Sequence, residues 1–386
     1  MKILLFMYSL HHGGAERVVV NLSSEWVAQG HEVSVVTLTS PASDFYTLHS
    51  SVKRIPLDLA GAPGGFAMAM YANARRIWGL RRVLARMQPD IVLGIETRPS
   101  VMAILAGLGL PCKVIAAEHI HPPMLREGTL WETLRRWSYP LADRVIALTE
   151  KSKTWLQQEC NCKAVTVIPN SISLPIAVGQ PVVPPWEIVA DGRRVMLAAG
   201  RMSEQKGFDI LIDAFARIAN THPAWDLVIL GDGADRRALA KQVAAAGLNQ
   251  RVLLPGQVGN MPDWYERSDL YVMSSRFEGF PMTLIEAMAS GCPVVSFDCD
   301  TGPRDIITQG YDGLLVDAVG DPQALADALS RLAQDDETRT LMASRARAVV
   351  ERFSPTKVFS MWHDVFRQLG VRHQASADCR PVRMTD

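Results

Sequence analysis

Short apolar, β-branched segments alternate with segments of helical spacing along almost the whole chain. Alternation of this kind, with strands that are apolar throughout, is typical of parallel sheets covered by helices on both faces. The sequence therefore predicts an α/β protein with two doubly wound, Rossmann-like domains. The strands predicted for the first domain span residues 2–7, 32–38, 91–94, 113–117, 144–148 and 165–168, and those for the second span 195–199, 227–230, 252–254, 270–273, 294–297 and 314–316.

A proline-rich stretch divides the two series of strands. Residues 169–193 contain five prolines, and a chain of 386 residues suits two domains of about 150–200 residues each. We predict an N-terminal domain over 1–175, a linker over 176–193, a C-terminal domain over 194–353, a helix over 354–370 that packs back toward the N-terminal domain, and a disordered tail over 371–386. The carboxyl ends of two such sheets face one another across a cleft, where ligands are expected.

Composition and charge exclude several classes of protein. The 40 basic and 40 acidic residues balance, which argues against a dedicated nucleic-acid binder. Apolar stretches end after about ten residues, whereas a membrane-spanning helix needs about 20. The first residues lack the small-residue cleavage site of a signal peptide, and six cysteines are too few for a disulfide scaffold in a chain of this length. We therefore expect a soluble, cytoplasmic protein.

The strongest motif places two glutamates around a predicted helix start. Glu278 and Glu286 follow the strand predicted at 270–273, and Pro281 between them suits the first turn of a helix. Free backbone N–H groups at such a helix start can hold an anion. A phosphate flanked by two carboxylates that accept hydroxyl groups would fit this motif, whereas the alternative is a pair of surface glutamates beside a turn. The residues between the glutamates that form the nest are Gly279, Phe280, Pro281, Met282 and Thr283.

A second motif is basic. Gly200, Arg201 and Lys206 come directly after the first strand of the second domain. The forked guanidinium of an arginine together with a lysine suits a diphosphate without a metal ion. The alternative is a solvated basic loop.

A glycine pair follows the first strand of the chain. Gly13 and Gly14 would let the backbone approach a phosphate or a sugar closely. The segment lacks the full G-x-G-x-x-G dinucleotide fingerprint, so an ordinary tight turn remains an equal alternative.

One histidine ends a strand at the expected cleft. His119 follows the strand predicted at 113–117, where an imidazole could bond a sugar hydroxyl or polarise a reacting group. The alternative is a structural histidine.

Together these motifs resemble glycosyltransferase family 4. The pattern E-G-F-P-x-x-x-x-E, with G-R-x-x-x-x-K-G upstream and G-G-A-E-R near the start, carries the resemblance, which runs from residue 2 to about residue 369. Members of this family have the GT-B fold, use nucleotide sugars and retain the anomeric configuration. The resemblance implies that the N-terminal domain faces the acceptor and that the C-terminal domain binds the nucleotide sugar.

The resemblance also implies a role for each motif. Arg201 and Lys206 would bind the donor diphosphate and offset the charge of the leaving group. Glu278 would hold the sugar hydroxyls, Glu286 the ribose hydroxyls, and His119 would contact the sugar near the reacting carbon. The residues implied to touch the donor through the backbone or the base are Gly13, Gly14, Gly200, Gly256, Gln257, Val258, Gly279, Phe280, Pro281, Met282 and Thr283.

The implied reaction needs neither a cofactor nor a metal ion. Asp298 and Asp300 mimic a D-x-D metal motif, but such sites belong to the other main transferase fold, so we assign these two residues no metal. The donor would be a UDP-hexose or a UDP-N-acetylhexosamine. Front-face attack and double displacement both stay open as mechanisms. The alternative function is a sugar-nucleotide epimerase or a phosphorylase of the same two-domain architecture.

The implied acceptor is a glycan or a polyprenyl-diphosphate-linked oligosaccharide, made for cell-surface polysaccharide, lipopolysaccharide or glycoconjugates. Residues 1–180 hold 18 Lys and Arg against 13 Asp and Glu. Basic and aromatic residues at helical spacing could contact an anionic inner membrane from the cytoplasmic face, or they could form a solvated helix face over a buried tryptophan. These residues are Arg75, Arg76, Trp78, Leu80, Arg81 and Arg82, and also Trp131, Arg135, Arg136 and Trp137.

Overall fold

Two parallel sheets form the framework of the protein. A computed structural model describes residues 1–11, 13–61, 64–124 and 127–371, so the predicted tail from residue 372 onward lies outside the described residues. The N-terminal sheet has seven strands in the order β3-β2-β1-β4-β5-β6-β7. These strands are β1 (Lys2–Met7), β2 (Glu32–Thr37), β3 (Lys53–Pro56), β4 (Ile91–Ile95), β5 (Lys113–Ala117), β6 (Arg144–Ala147) and β7 (Val165–Val167).

One strand of this sheet was not predicted. Strand β3 has the sequence Lys-Arg-Ile-Pro and pairs only with β2, at the edge of the sheet. Edge strands carry charged residues and prolines because one side of the strand has no partner. The apolar pattern that reveals buried strands is therefore missing here.

Helices cover both faces of the N-terminal sheet. The face covered by α1 contains a cluster of buried side chains that includes Val19 and Trp26, while α2 to α5 cover the other face, where Leu84 and Tyr139 are buried. These helices are α1 (Gly14–Ala28), α2 (Phe66–Met87), α3 (Thr97–Gly107), α4 (Thr129–Ser138) and α5 (Glu150–Glu159).

The C-terminal sheet has six strands in the order β10-β9-β8-β11-β12-β13. The strands are β8 (Arg194–Ala199), β9 (Trp225–Leu230), β10 (Val252–Gly256), β11 (Leu270–Met273), β12 (Val294–Phe297) and β13 (Leu314–Val316). The remaining helices are α6 (Pro185–Ile188), α7 (Phe208–Ile218), α8 (Arg236–Ala245), α9 (Met261–Arg267), α10 (Met282–Ala289), α11 (Pro303–Ile306), α12 (Pro322–Gln334), α13 (Asp336–Ala346), α14 (Val349–Arg352) and α15 (Pro355–Gln368).

The last helix packs on the first domain. Trp26 of α1 lies with its ring centroid 5.6 Å from that of Trp362 and 5.5 Å from that of Phe366, both on α15. The chain therefore crosses between the domains twice, once between β7 and β8 and once between α14 and α15. The two crossings touch, because the N–H of Ile172 donates to the carbonyl oxygen of Phe353 at 2.9 Å.

Candidate active site

Loops of both domains meet in a cleft between them. Among these loops are the ones that follow β1, β4, β8 and β11, the central strands at which the order of each sheet reverses, and such switch points form ligand clefts in open α/β sheets. The cavity between these loops has a volume of about 720 Å³. The predicted site residues that line it are Gly13, Gly14, His119, Gly200, Arg201, Lys206, Gln257, Val258, Glu278, Gly279, Phe280, Pro281, Met282 and Thr283. Gly256 and Glu286 do not line this cavity.

The basic residues after β8 have different surroundings. The Nζ of Lys206 lies 2.6 Å from Oε1 of Glu278, and the hydroxyl of Ser275 donates to the same oxygen at 2.6 Å. Arg201 is exposed, and its guanidinium forms no ion pair or hydrogen bond within the described part of the chain. Arg201 therefore keeps all of its donors available to a ligand, whereas Lys206 holds the Glu278 carboxylate in place.

The domains come closest at the loop before α10. A Cβ atom on Gly279 would lie 1.9 Å from the carbonyl oxygen of His119, so the backbones of the two domains are in direct contact there. The side-chain amide of Asn170 donates to the carbonyl oxygen of Phe280 at 3.3 Å and adds a second contact between the domains. Helix α10 then begins at Met282, and its free N–H groups face the cavity.

Glu286 is fully buried one turn into α10. Its Oε2 accepts a hydrogen bond from the hydroxyl of Tyr265 at 3.1 Å, and its Oε1 lies 2.6 Å from a guanidinium nitrogen of Arg17 in the other domain. Burial raises the pKa of Glu286, and the charge of Arg17 opposes that rise. In this structure, Arg17 lines the cavity and contacts the Glu286 carboxylate, which does not line it.

A buried network orients the end of β5. The Glu118 carboxylate accepts hydrogen bonds from Thr97 at 3.0 Å and from Tyr139 at 2.6 Å, and Arg135 lies 3.8 Å away. This network holds the strand end so that the next residue, His119, borders the cavity. Burial lowers the pKa of His119 to about 4, so its imidazole is neutral near pH 7. A neutral imidazole can donate to or accept from a sugar hydroxyl.

Two family models match the chain. A model described as "Glycosyl transferases group 1" matches residues 186–349, and a model described as "Glycosyltransferase Family 4" matches residues 12–174, so that together they cover both domains. The chain belongs to glycosyltransferase family 4. The expected family is thereby confirmed, and neither the epimerase nor the phosphorylase alternative is favoured.

Relatives of this family 4 glycosyltransferase differ in length. An exopolysaccharide phosphotransferase of Streptomyces coelicolor is 32% identical over 75% of this chain, but the match spans only 30% of that protein. An α-1,4-N-acetyl-D-galactosaminyltransferase of Campylobacter jejuni, whose name specifies a diphospho-undecaprenol-linked saccharide, is 26% identical over 94% of this chain and 97% of its own length.

Solved structures confirm the GT-B fold. Sucrose-phosphate synthase of Thermosynechococcus elongatus aligns with a TM-score of 0.83 and 20% identity over 96% of this chain and 99% of its own. Anabaena HepE, solved in complex with UDP, aligns with a TM-score of 0.72 and 21% identity over 96% of this chain and 100% of its own. The predicted architecture of two Rossmann-like domains facing across a cleft is therefore correct.

The two aspartates of the D-x-D sequence are engaged by cations. Asp298 accepts a hydrogen bond from Nε of Arg304 at 2.9 Å, and Asp300 forms an ion pair with Lys151 of the N-terminal domain. Each aspartate thus contacts a basic side chain in this structure.

One carboxylate in the cavity was not predicted from the sequence. Glu96 directly follows β4, has a backbone φ of 71°, and forms no side-chain hydrogen bond or ion pair with any residue that the structure describes. Burial, together with the negative charges of Glu16, Glu118 and Glu127, raises the pKa of Glu96 to about 7. The sequence feature that could have identified Glu96 is its position, because it is a charged residue directly after a central strand. The predicted strand ended two residues earlier, at residue 94, and this position was not considered.

We expect Glu96→Gln to stabilise the protein only at higher pH. Below pH 4.5 the carboxyl group is protonated in both the folded and the unfolded chain. As the pH rises from 4.5 to about 7, the folded chain retains the proton longer, so the wild type loses stability. Above pH 7 the variant should be more stable by up to about 3 kcal/mol. Thermal unfolding at pH 4.5, 6 and 8 measures this difference.

The control for this experiment is Glu266→Gln, which removes an exposed carboxylate of α9. Its stability relative to the wild type should not change across the same pH range. A Glu96→Gln difference that is equal at pH 4.5 and pH 8 would contradict the raised pKa.

Proposed function

We propose that the protein is a retaining glycosyltransferase that moves a hexose or an N-acetylhexosamine from a UDP-sugar to a glycan or a lipid-linked oligosaccharide. The observation that carries this proposal is the convergence of Arg201, the Lys206–Glu278 pair and the start of α10 on one cavity between the domains. Such a site offers cations for a diphosphate beside a carboxylate for sugar hydroxyls. The products would be cell-surface polysaccharide, lipopolysaccharide or other glycoconjugates.

In the proposed reaction the protein positions the substrates and stabilises charge. The bond between the sugar and the phosphate lengthens, and negative charge accumulates on the leaving diphosphate, where Arg201 and Lys206 meet it. Glu278 holds the sugar hydroxyls, and neutral His119 hydrogen-bonds the sugar near the reacting carbon. The acceptor hydroxyl attacks the anomeric carbon from the face that the diphosphate leaves. The departing diphosphate takes the proton of this hydroxyl. The proposal includes no metal ion, because the protein's own cations offset the charge.

The relatives support the proposed substrates. The Campylobacter transferase carries an N-acetylhexosamine and an undecaprenol-linked acceptor in its name, and Anabaena HepE was solved with UDP. Both fit a donor site that binds a nucleoside diphosphate and an N-terminal domain that receives a lipid-linked glycan.

A nucleotide panel tests the proposed donor. The melting temperature of the protein is measured with UDP, GDP, ADP and NAD, and then with the sugars of the nucleotide that protects best. We expect UDP to give the largest rise. Proton NMR of the transfer product then reports whether the anomeric configuration is retained. Protection by NAD alone, or by none of these ligands, would refute the proposed function.

A stripe of exposed residues on α2 supports contact with a membrane surface. Tyr71 is 59% exposed and Trp78 is 56% exposed, and Arg75 and Arg82 lie over the two rings. Arg86 continues the stripe one turn further. No helix within the described ranges is long and apolar enough to span a membrane. We propose that this stripe rests on the cytoplasmic face of an anionic inner membrane, where lipid-linked acceptors are anchored.

Some of the residues that the sequence predicted to contact a membrane are not available at the surface. Arg76, Leu80 and Arg135 are buried, and Arg81 donates to two backbone carbonyl oxygens of the neighbouring helix end. Arg76 likewise donates to two loop carbonyl oxygens. These residues hold the fold together because guanidinium donors satisfy carbonyl groups that would otherwise be unpaired. Trp137 on α4 is exposed, and so is Arg136, which forms an ion pair with Glu159.

We expect the protein to sediment with anionic liposomes at low salt, because the stripe offers both arginine charge and aromatic surface. The variant Arg75→Ala/Trp78→Ala should lose most of this binding, by a factor of about 10, since each basic residue near an anionic surface contributes about 1 kcal/mol. Co-sedimentation at 50 and 500 mM salt measures the effect. Trp186→Ala, which removes a tryptophan that is 70% exposed in the linker, serves as the control. Equal loss in both variants, or no wild-type binding at low salt, would refute the contact.

A further inference from the structure

One ion pair joins the two predicted donor motifs across the cleft. Arg17 belongs to the segment after β1, in the first turns of α1, and Glu286 lies on α10 of the other domain. Their closest atoms are 2.6 Å apart. Glu286 has no exposed surface, whereas the Arg17 side chain is 25% exposed and borders the cavity. The carboxylate that the family resemblance assigns to the donor ribose is therefore covered by an arginine.

A ligand that binds Oε1 of Glu286 must replace Arg17 there. A buried carboxylate that loses its cation is strongly destabilised unless other donors replace it. The two neighbouring hydroxyls of a ribose supply two O–H donors, and the hydroxyl of Tyr265 already supplies a third to Oε2. Ribose hydroxyls are therefore chemically suited to take the place of the guanidinium.

The displaced guanidinium remains beside the cavity. Arg17 lies three residues after Gly14, at the same end of α1 that borders the cavity, with Glu16 between them in sequence. Once ribose hydroxyls hydrogen-bond to Glu286, a diphosphate bound in the cavity offers the released guanidinium a doubly phosphorylated, negatively charged partner. A guanidinium binds phosphate oxygens well through its forked donors.

We propose that Arg17 is a donor-binding residue that exchanges partners: it pairs with Glu286 in the empty site and with the donor diphosphate in the occupied site. This inference rests on the proposed function, because it requires a nucleoside diphosphate in the cleft. Because of this exchange, the affinity of the site for a ligand depends on whether the ligand carries phosphates. A nucleoside must break the ion pair without compensation, whereas a nucleoside diphosphate offers Arg17 a new partner.

A ligand series tests the exchange. The affinities of uridine, UMP and UDP are measured by calorimetry for the wild type and for Arg17→Ala. Without the arginine, uridine no longer competes for Glu286 and should bind about tenfold more tightly, while UDP should bind several-fold more weakly. The ratio of the uridine and UDP dissociation constants should therefore fall by a factor of 10 or more.

The control is Lys151→Ala. Lys151 also forms an ion pair between the domains, with Asp300, but it does not line the cavity. Loss of this pair should change the affinities of all three ligands by the same factor, and the ratio should stay that of the wild type. If Arg17→Ala does not fold, Arg17→Gln removes the charge but keeps an amide donor for Glu286, and the ratio should again fall, by a smaller factor, because the amide still competes with uridine.

The outcomes separate the inference from the proposed function. Equal changes for uridine, UMP and UDP in the Arg17 variants would show that Arg17 only holds the domains together, which would overturn the exchange and leave the donor site standing. Wild-type protein that binds none of these ligands, nor GDP or ADP, would overturn the proposed function and the exchange with it.

Discussion

Replacement of Arg201 with alanine is expected to lower the turnover of sugar transfer by a factor of about 100 or more. Arg201 borders the cavity and has no side-chain partner among the residues that the structure describes, so its guanidinium is free to meet the charge that the proposed reaction develops on a leaving diphosphate. A contact that strengthens in the transition state affects kcat more than substrate binding. Steady-state kinetics with the best donor, together with calorimetry of UDP binding, measure both quantities.

The matched control for this experiment is Arg237→Ala, which removes an exposed arginine of α8 that does not line the cavity. Its turnover should equal that of the wild type. Arg201→Lys should recover part of the lost rate, because a lysine keeps the charge but cannot bind two oxygens at once. Near-normal turnover in Arg201→Ala would show that the diphosphate lies elsewhere.

Gly279→Ala is expected to reduce turnover by a similar factor of about 100. The new methyl group would lie 1.9 Å from the carbonyl oxygen of His119, and that atom belongs to the backbone of the other domain. No side-chain rotation can relieve this clash, so the two domains must separate, and the donor side of the cavity must move away from His119. A misplacement of about 1 Å between reacting groups can cost a factor of about 100. Kinetics measure the loss of rate.

A control glycine distinguishes this local clash from a general effect of alanine. A Cβ atom on Gly64 would have no neighbour within 4 Å, and Gly64→Ala should leave both turnover and stability unchanged. Gly279→Ala should keep a melting temperature within several degrees of the wild type, because each domain keeps its own core. Full activity of Gly279→Ala would show that the domains are not this close during catalysis.

The sequence predicted the sheets well because buried parallel strands are apolar throughout. The loops after those strands were equally accessible to prediction, since the carboxyl ends of parallel strands lie at one edge of each sheet. This is why Arg201, His119 and Glu278 were expected in one cleft and line one cavity. Their catalytic roles stay predictions.

Other features depend on tertiary contacts that the sequence pattern does not encode. The contact of Arg17 with Glu286 joins two domains, so it depends on how the two domains pack against each other. Arg76 and Arg81 lie next to the exposed Arg75 and Arg82 in one basic segment of α2, and the carbonyl groups that they contact show which of these arginines are structural. The Glu96 carboxylate was missed because its backbone turns directly after the strand.

The double crossing of the chain limits how the cleft can open. The segment after β7 and the segment before α15 pass between the domains side by side, and the hydrogen bond from Ile172 to Phe353 fastens them together. Because both connecting segments lie at one place, one domain can rotate about these segments. They restrict translation of one domain relative to the other. An opening of the cleft would therefore be a rotation about this place, and the same surfaces would meet again when the cleft closes.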